Sequence, residues 1–355
     1  MVLQSVSINL RRRLASGVLL TLFVLVVGCG HVLAGASHES TETAGQYRVS
    51  FSDSLLSASL EARIPVKNGR LFMAAWGADH LPAGWATFIR HFEVRDDSDR
   101  QLVFVSKPNG VWELSDGFNG TVRLKYQVDL SFAKEKWPYG NEQAALFEGG
   151  ALFLVSKALF VVSDAPGKRQ VVFEAPGSWK ISTPWFALNG NPRTFVAEDN
   201  NDLINNSLVL GKHFEYVFNE GRFTFVLALL GRSGQSSGLI AATLQQVVRN
   251  YVGIFDKTPQ SKYLMTVFYA EAVDAEAYAK SAAFSERDPI TKHNLIRWGN
   301  TLAHELFHAW NGHAIRGVDY ATSQWFSEGF TEYFANLALV QERLISKDLF
   351  IRKIE

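Results

Sequence analysis

The chain has 355 residues, with 35 Lys and Arg balanced by 35 Asp and Glu, 47% hydrophobic and 20% charged residues, and a single cysteine. This length suits two domains with ample material to bury, and the composition excludes both a disordered chain and a multi-span membrane protein. The even charge balance gives no sign of a nucleic-acid partner.

Residues 1–36 read as a targeting segment. Arg11, Arg12 and Arg13 form a basic start, and residues 14–27 form an uncharged, mostly apolar run. Val26, Val27, Gly28 and Cys29 follow, which resembles a bacterial lipobox, so Cys29 is the expected lipidation site. Cleavage near Ala34 and Ala36, or an uncleaved anchor over residues 14–30, are the competing readings. All three carry the folded part out of the cytoplasm, to the periplasm or cell envelope, with the membrane reached through the N-terminal anchor. A lone cysteine leaves the mature chain without a disulfide.

Residues 37–45, SHESTETAG, read as a polar tether. From 46 to 235 the pattern has period two. Val122, Leu124, Tyr126, Val128, Leu130 and Phe132 alternate with polar neighbours, which predicts a strand with one dry face. Weaker alternation marks residues 60–66, 91–95 and 222–227, with turns at Asn109-Gly110, Asn189-Gly190 and Asn219-Glu220-Gly221. Short strands with regular turns predict an N-terminal antiparallel β domain, a sandwich or saddle.

The period changes near residue 236, where the second domain, 236–355, is expected to begin. Leu244, Val247, Val248 and Tyr251 are spaced as a helical stripe, and residues 263–269 read as a buried strand. A second helix, beginning after Pro289, carries Leu295, Trp298, Leu302 and Leu306 on its core side and stops at Asn311-Gly312. A third has an apolar face expected to include Phe326, Phe330, Tyr333, Phe334 and Leu337. The overall class is therefore α+β.

The chemistry lies in HELFH, residues 304–308, and SEGFTEY, residues 327–333. On a helix, His304 and His308 share one face a turn apart, with Glu305 rotated beside them. Zinc takes four ligands and keeps one position for water in catalytic sites, so a third protein ligand is needed, and Glu328 on the following helix is the candidate. Glu305 is the expected general base. Glu332, one turn beyond Glu328, is placed to orient a ligand histidine. His313 reads as a surface histidine, with a substrate contact as the minor alternative.

HELFHAWNGHAIR followed by WFSEGFTEY resembles the glycyl aminopeptidase family of zinc peptidases, as does DNNDLINNSLVLG at residues 199–211. The resemblance implies a saddle-like β domain, a thermolysin-like, mainly helical catalytic domain, and further helices and a PDZ domain past Glu355, so that the catalytic domain is incomplete here. It also implies removal of small N-terminal residues from peptides. Where the family has a Gly-Gly-x-Glu-His stretch whose glutamate holds the substrate's amino group, this chain reads YAEAVDAEAYAKSAAFS over 269–285, with Glu271 and Glu276 as possible substitutes. The tyrosine expected to stabilise the oxyanion is missing. The leading expectation is a zinc peptidase acting by metal-activated water; the alternatives are a catalytically impaired envelope protein that binds peptides or partners through its β domain, and another zinc hydrolase on the same scaffold, such as an epoxide hydrolase.

Overall fold

The structure, a computed structural model, describes residues 44–52, 55–130, 145–255, 258–312, 315 and 320–354. Cys29, the tether up to residue 43, Phe132 and His313 lie outside the described residues. Among the described residues, no helix is long and apolar enough to cross a membrane.

Among the described residues, four sheets and five α helices make an α+β fold. The first sheet has seven strands in the spatial order β13 (Phe186–Ala187), β14 (Thr194–Ala197), β11 (Arg169–Glu174), β1 (Gly45–Phe51), β2 (Ser57–Val66), β7 (Gly120–Asp129) and β4 (Ile89–Asp96). All its pairs are antiparallel except β1 with β11, which run parallel, so the expected antiparallel domain contains one exception. The period-two run seen in the sequence is β7: Val122, Leu124, Tyr126 and Val128 are buried and register against Ile64, Ala62, Leu60 and Ala58 of β2. A one-residue slip would turn both rows to solvent, which is why this pair is fixed so firmly. At the edge, β4 carries a bulge between Arg90 and Glu93, with His91 at φ 53°.

A second sheet joins β10 (Val162–Ser163), β3 (Arg70–Phe72), β6 (Val111–Leu114) and β5 (Phe104–Lys107). A third joins β12 (Lys180–Ser182), β15 (Ser207–Gly211), β9 (Ala151–Val155) and β8 (Ala145–Glu148). Every residue of β9 and β15 is buried. Such strands are covered on both faces.

The fourth sheet positions the site. Its order is β16 (Phe214–Glu220), β17 (Phe223–Leu229), β18 (Lys262–Tyr269), β20 (Ser281–Glu286) and β19 (Asp274–Ala277), with parallel pairing in the middle and antiparallel strands at both edges. Successive side chains on its central strands go to different cores. Val226, Ala228, Leu264 and Phe268 pack with the β-rich part, where Phe268 meets Phe153 at 5.1 Å between ring centroids. Phe225, Leu227, Tyr263, Met265 and Val267 pack on the other side, under the helices. A strand buried on both faces reads as an unbroken apolar run, which is how residues 263–269 read in the sequence. Strands β16 and β17, which lie within the period-two stretch 46–235, pair in this sheet. Periodicity identified them as strands but carries no information about which sheet a strand joins.

The helices are α1 (Asn200–Ile204), α2 (Ser237–Ile254), α3 (Leu295–Phe307), α4 (Tyr320–Gln341) and α5 (Lys347–Ile354). The stripe Leu244, Val247, Val248 and Tyr251 of α2 is fully buried, and so are Trp298, Leu302 and Leu306 of α3, with Leu295 nearly so. Helix α4 departs from expectation in part: Phe334 packs against the core and Phe326 and Leu337 are half-buried, but Phe330 and Tyr333 are exposed, and the fully buried apolar residues are Ala335, Ala338 and Leu339.

Candidate metal centre

The core stripe of α3 turns His304 and Glu305 toward a cleft on the side away from the sheet core, and His308 follows as the residue capping the helix C-terminus. Its position is held from beneath. The Tyr251 hydroxyl donates to the Ala303 carbonyl at 3.0 Å and the Tyr263 hydroxyl to the Glu305 carbonyl at 3.3 Å, both fully buried. These tyrosines, from α2 and β18, fix the depth and rotation of α3 against the sheet.

Helix α4 crosses α3 and is tied to the end of it by Asn311. The buried Asn311 amide donates to the Ser327 carbonyl at 2.8 Å and the Thr331 hydroxyl at 3.2 Å. That tie brings Glu328 and Glu332 against the two histidines. Glu328 Oε2 lies 3.2 Å from His304 Nε2 and 3.6 Å from His308 Nε2. The three ligand atoms all lie within 4.8 Å of one another.

These separations test the fit to a metal ion. Four-coordinate zinc with bonds of about 2.1 Å holds tetrahedral ligand atoms about 3.4 Å apart. The two distances to Glu328 bracket that value, and two imidazole nitrogens with one carboxylate form the donor set of a catalytic zinc site. Both histidines also present the correct nitrogen. His304 Nδ1 lies 3.3 Å from Glu332 Oε2, and His308 Nδ1 donates to the Asn311 carbonyl at 3.0 Å, which leaves each Nε2 turned toward Glu328. Glu332 is itself steadied by the Asn336 amide, which donates to its Oε1 at 2.8 Å.

In the metal-free chain, burial and the neighbouring charges shift several of these groups. Burial pushes the His304 imidazolium down, but Glu332, Glu305 and Glu328 outweigh it and its pKa is raised. His308 is lowered, by burial first and also by the charge of His304. Glu305, 8% exposed, is pushed up to about 7, chiefly by burial, with Glu328, Glu276 and Asp274 adding to the push against the opposing His304. The Glu332 carboxyl is held below its ordinary value because hydrogen bonds from His304 and Asn336 offset its burial.

The expected residues His304, Glu305, His308, Glu328 and Glu332 are therefore brought together. They line, with Glu276, Asn311, Ser327 and residues of the edge strand β19, a cleft of about 570 Å³; Glu332 stands behind it on His304. Of the two suggested anchors for a substrate amino group, Glu276 lines the cleft, whereas Glu271 is exposed and does not. The tie made by Asn311 escaped the sequence reading, in which this residue served only as a helix stop; its place inside the matched HELFHAWN stretch was the available signal.

Two histidines one helical turn apart beside a carboxylate, with a third ligand from the next helix, define the HExxH class of peptidase sites. Within that class, the M61 glycyl aminopeptidase pattern matches residues 297–355, and the peptidase M61 N-terminal domain matches residues 46–212, together more than half of the chain. The chain belongs to the M61 glycyl aminopeptidase family. Among solved structures, an aminopeptidase N family protein from Idiomarina loihiensis is similar with a TM-score of 0.70 and 17% identity, covering 86% of this chain and 56% of that one. At such identity the likeness is one of fold, and this chain spans little more than half the length of that protein. No curated protein matches the chain.

Proposed function

We propose that the protein is a zinc-dependent peptidase of the cell envelope, with a thermolysin-like catalytic unit in which Glu305 is the general base. The observation that carries this reading is the convergence of His304 Nε2, His308 Nε2 and Glu328 Oε2 within 4.8 Å of one another, beside a buried glutamate. A divalent ion bound there would polarise the scissile carbonyl and acidify a water molecule. Glu305 takes the proton of the attacking water and returns it to the leaving amine. A base whose proton affinity lies near neutrality can do both, and its raised pKa of about 7 supports that role. Glu332 and the Asn311 carbonyl hold the two ligand imidazoles in the tautomer that leaves Nε2 free to bind. The substrate is a peptide lying along the cleft beside β19. Aminopeptidase-like action is what family membership adds; the geometry itself supports hydrolysis of the bond. The lipobox-like Cys29 supports a lipid-anchored protein at the membrane surface.

Purified protein should hold about one zinc per chain by elemental analysis. Glu305→Gln should keep the zinc and lose at least about 100-fold in kcat toward peptide substrates, the usual weight of a general base. Absence of bound zinc in protein prepared without chelators would overturn the metal assignment. A variant with unchanged kcat would overturn the assignment of Glu305. If the wild type binds zinc and peptides but hydrolyses none, the non-catalytic binding reading replaces this one.

A further inference from the structure

At the edge of the fourth sheet opposite β19, a second cavity of about 500 Å³ opens between the β-rich part and strands β16 to β18. It shares no lining residue with the cleft of the metal centre. Three cations line it: Lys180 at the start of β12, Arg193 just before β14, and Lys262 at the start of β18. Among the described residues, none of the three has a carboxylate as an ion-pair partner. By contrast, Lys157 and Lys280, also withdrawn from solvent, hold carboxylates at 3.1 and 2.8 Å.

Lys262 is the most informative of the three. Burial pushes its ammonium down from 10.5 to about 8, against the opposing charge of Glu215. An ammonium has three donors, and among the described residues this one is hydrogen-bonded to a single neutral acceptor, the Trp185 carbonyl at 2.7 Å. Glu215 lines the same cavity but is engaged elsewhere. The Ser182 hydroxyl donates to its Oε2 and lies 2.7 Å from His213 Nε2. Arg193 donates from Nη2 to the Pro176 carbonyl at 2.7 Å, while its Nη1 is buried without a hydrogen-bond partner. Buried donors left unmatched cost free energy, and a lysine and an arginine in that condition on one cavity form the donor set for an anion. The remaining wall includes Trp179, Phe186 and the buried Phe195, with the Phe186 ring centroid 5.7 Å from the Lys262 nitrogen. Apolar walls favour a ligand with an apolar body, and the charge of Glu215 disfavours a dianion.

We propose that this cavity binds an organic monocarboxylate with an aromatic or branched apolar body, its carboxylate received by Lys262 and Arg193 and its apolar part by Trp179 and Phe195. The site is separate from the metal centre, and the proposal stands whether or not the chain hydrolyses peptides.

The test uses the full chain loaded with zinc and two probes, N-acetylphenylalanine and its amide, which differ only in the carboxylate. Calorimetry should show the acid binding at least tenfold more tightly than the amide, the usual weight of hydrogen bonds to charged groups. Arg193→Gln and Lys262→Met should each weaken the acid about tenfold and leave the amide within about threefold. Inorganic phosphate, which offers charge without an apolar body, should bind at least tenfold more weakly than the acid. A carboxylate could also ligate the zinc, so His304→Ala serves as the control and should leave binding of the acid unchanged. The proposal is overturned by equal binding of acid and amide, by phosphate binding as tightly as the acid, or by an acid affinity that folded Arg193→Gln leaves intact. Loss of the acid in His304→Ala, or no binding of it at millimolar concentration, overturns it equally. Should Lys262→Met fail to fold, Arg193→Gln alone decides.

Discussion

Glu332 touches no expected substrate atom, so its replacement isolates the support given to a ligand. Its Oε2 lies 3.3 Å from His304 Nδ1 and its Oε1 is held by Asn336. Changing Glu332 to Gln keeps the shape and removes the charge, so the bond to the imidazole falls from charge-assisted to neutral. That difference is about 1.4 kcal/mol, which corresponds to about tenfold in zinc affinity. Glu332→Ala removes the bond altogether and should weaken zinc binding about 10- to 100-fold. The side chain is 43% exposed, so screening keeps its contribution to the stability of the metal-free chain below about 1 kcal/mol. Competition against a chromophoric chelator measures the affinity, and thermal unfolding in excess chelator measures the metal-free stability. Asn336→Ala serves as the control, since it removes the steadying contact but leaves the Glu332 charge in place. The reasoning is refuted if both Glu332 variants bind zinc as the wild type does. It is refuted equally if the loss in affinity is matched by a loss in metal-free stability, because Glu332 would then support the fold and not the ligand.

Two further predictions concern other parts of the structure. Asn311→Ala leaves the Ser327 carbonyl and Thr331 hydroxyl without the amide that joins α3 to α4, and should cost about 1–3 kcal/mol in chemical unfolding of the chelated protein; an unchanged midpoint would show that the helices are held together by packing alone. His213 is buried with its Nε2 2.7 Å from the Ser182 hydroxyl, and burial, aided by the charge of Lys180, pushes its pKa from 6.5 down to about 4. Between those values the unfolded chain binds the proton and the folded one does not. Its contribution is thus fully present above pH 6.5, is lost as the pH falls, and levels off below about 4, amounting to about 3 kcal/mol. Unfolding midpoints at pH 7 and pH 4 should therefore differ less in His213→Gln than in the wild type, and equal differences would refute the assignment.

The elements legible in the sequence are those whose residues report on their own surroundings. The alternation in β7 and the stripes of α2 and α3 each record one buried face, and each is found where the periodicity puts it. Helix α4 shows where this fails. Of its aromatic residues, Phe330 and Tyr333 are exposed, whereas Phe334 stacks on Phe307 of α3 with ring centroids 4.7 Å apart, and Ala335, Ala338 and Leu339 are the fully buried apolar residues. Close approach of α4 to α3 is what lets Glu328 reach both histidines.

The cluster His304, His308, Glu328 and Glu332 could be nominated as a candidate site because its parts lie within 29 residues of one another, on two consecutive helices with known turn spacing. The ion pair between Glu276 and Lys157 was not legible. Glu276 could be nominated as an amine anchor from its position before α3, but its partner Lys157 is 119 residues away in the chain, on a turn of the β-rich part. Neither residue's neighbours in sequence hint at the pairing, and a lone lysine in a run such as LVSKALF reads as a break in an apolar strand. Its near-complete burial makes it informative only once the fold is known. A charge so enclosed costs free energy unless it is neutralised, and the carboxylate neutralising it, Glu276, also lines the candidate cleft.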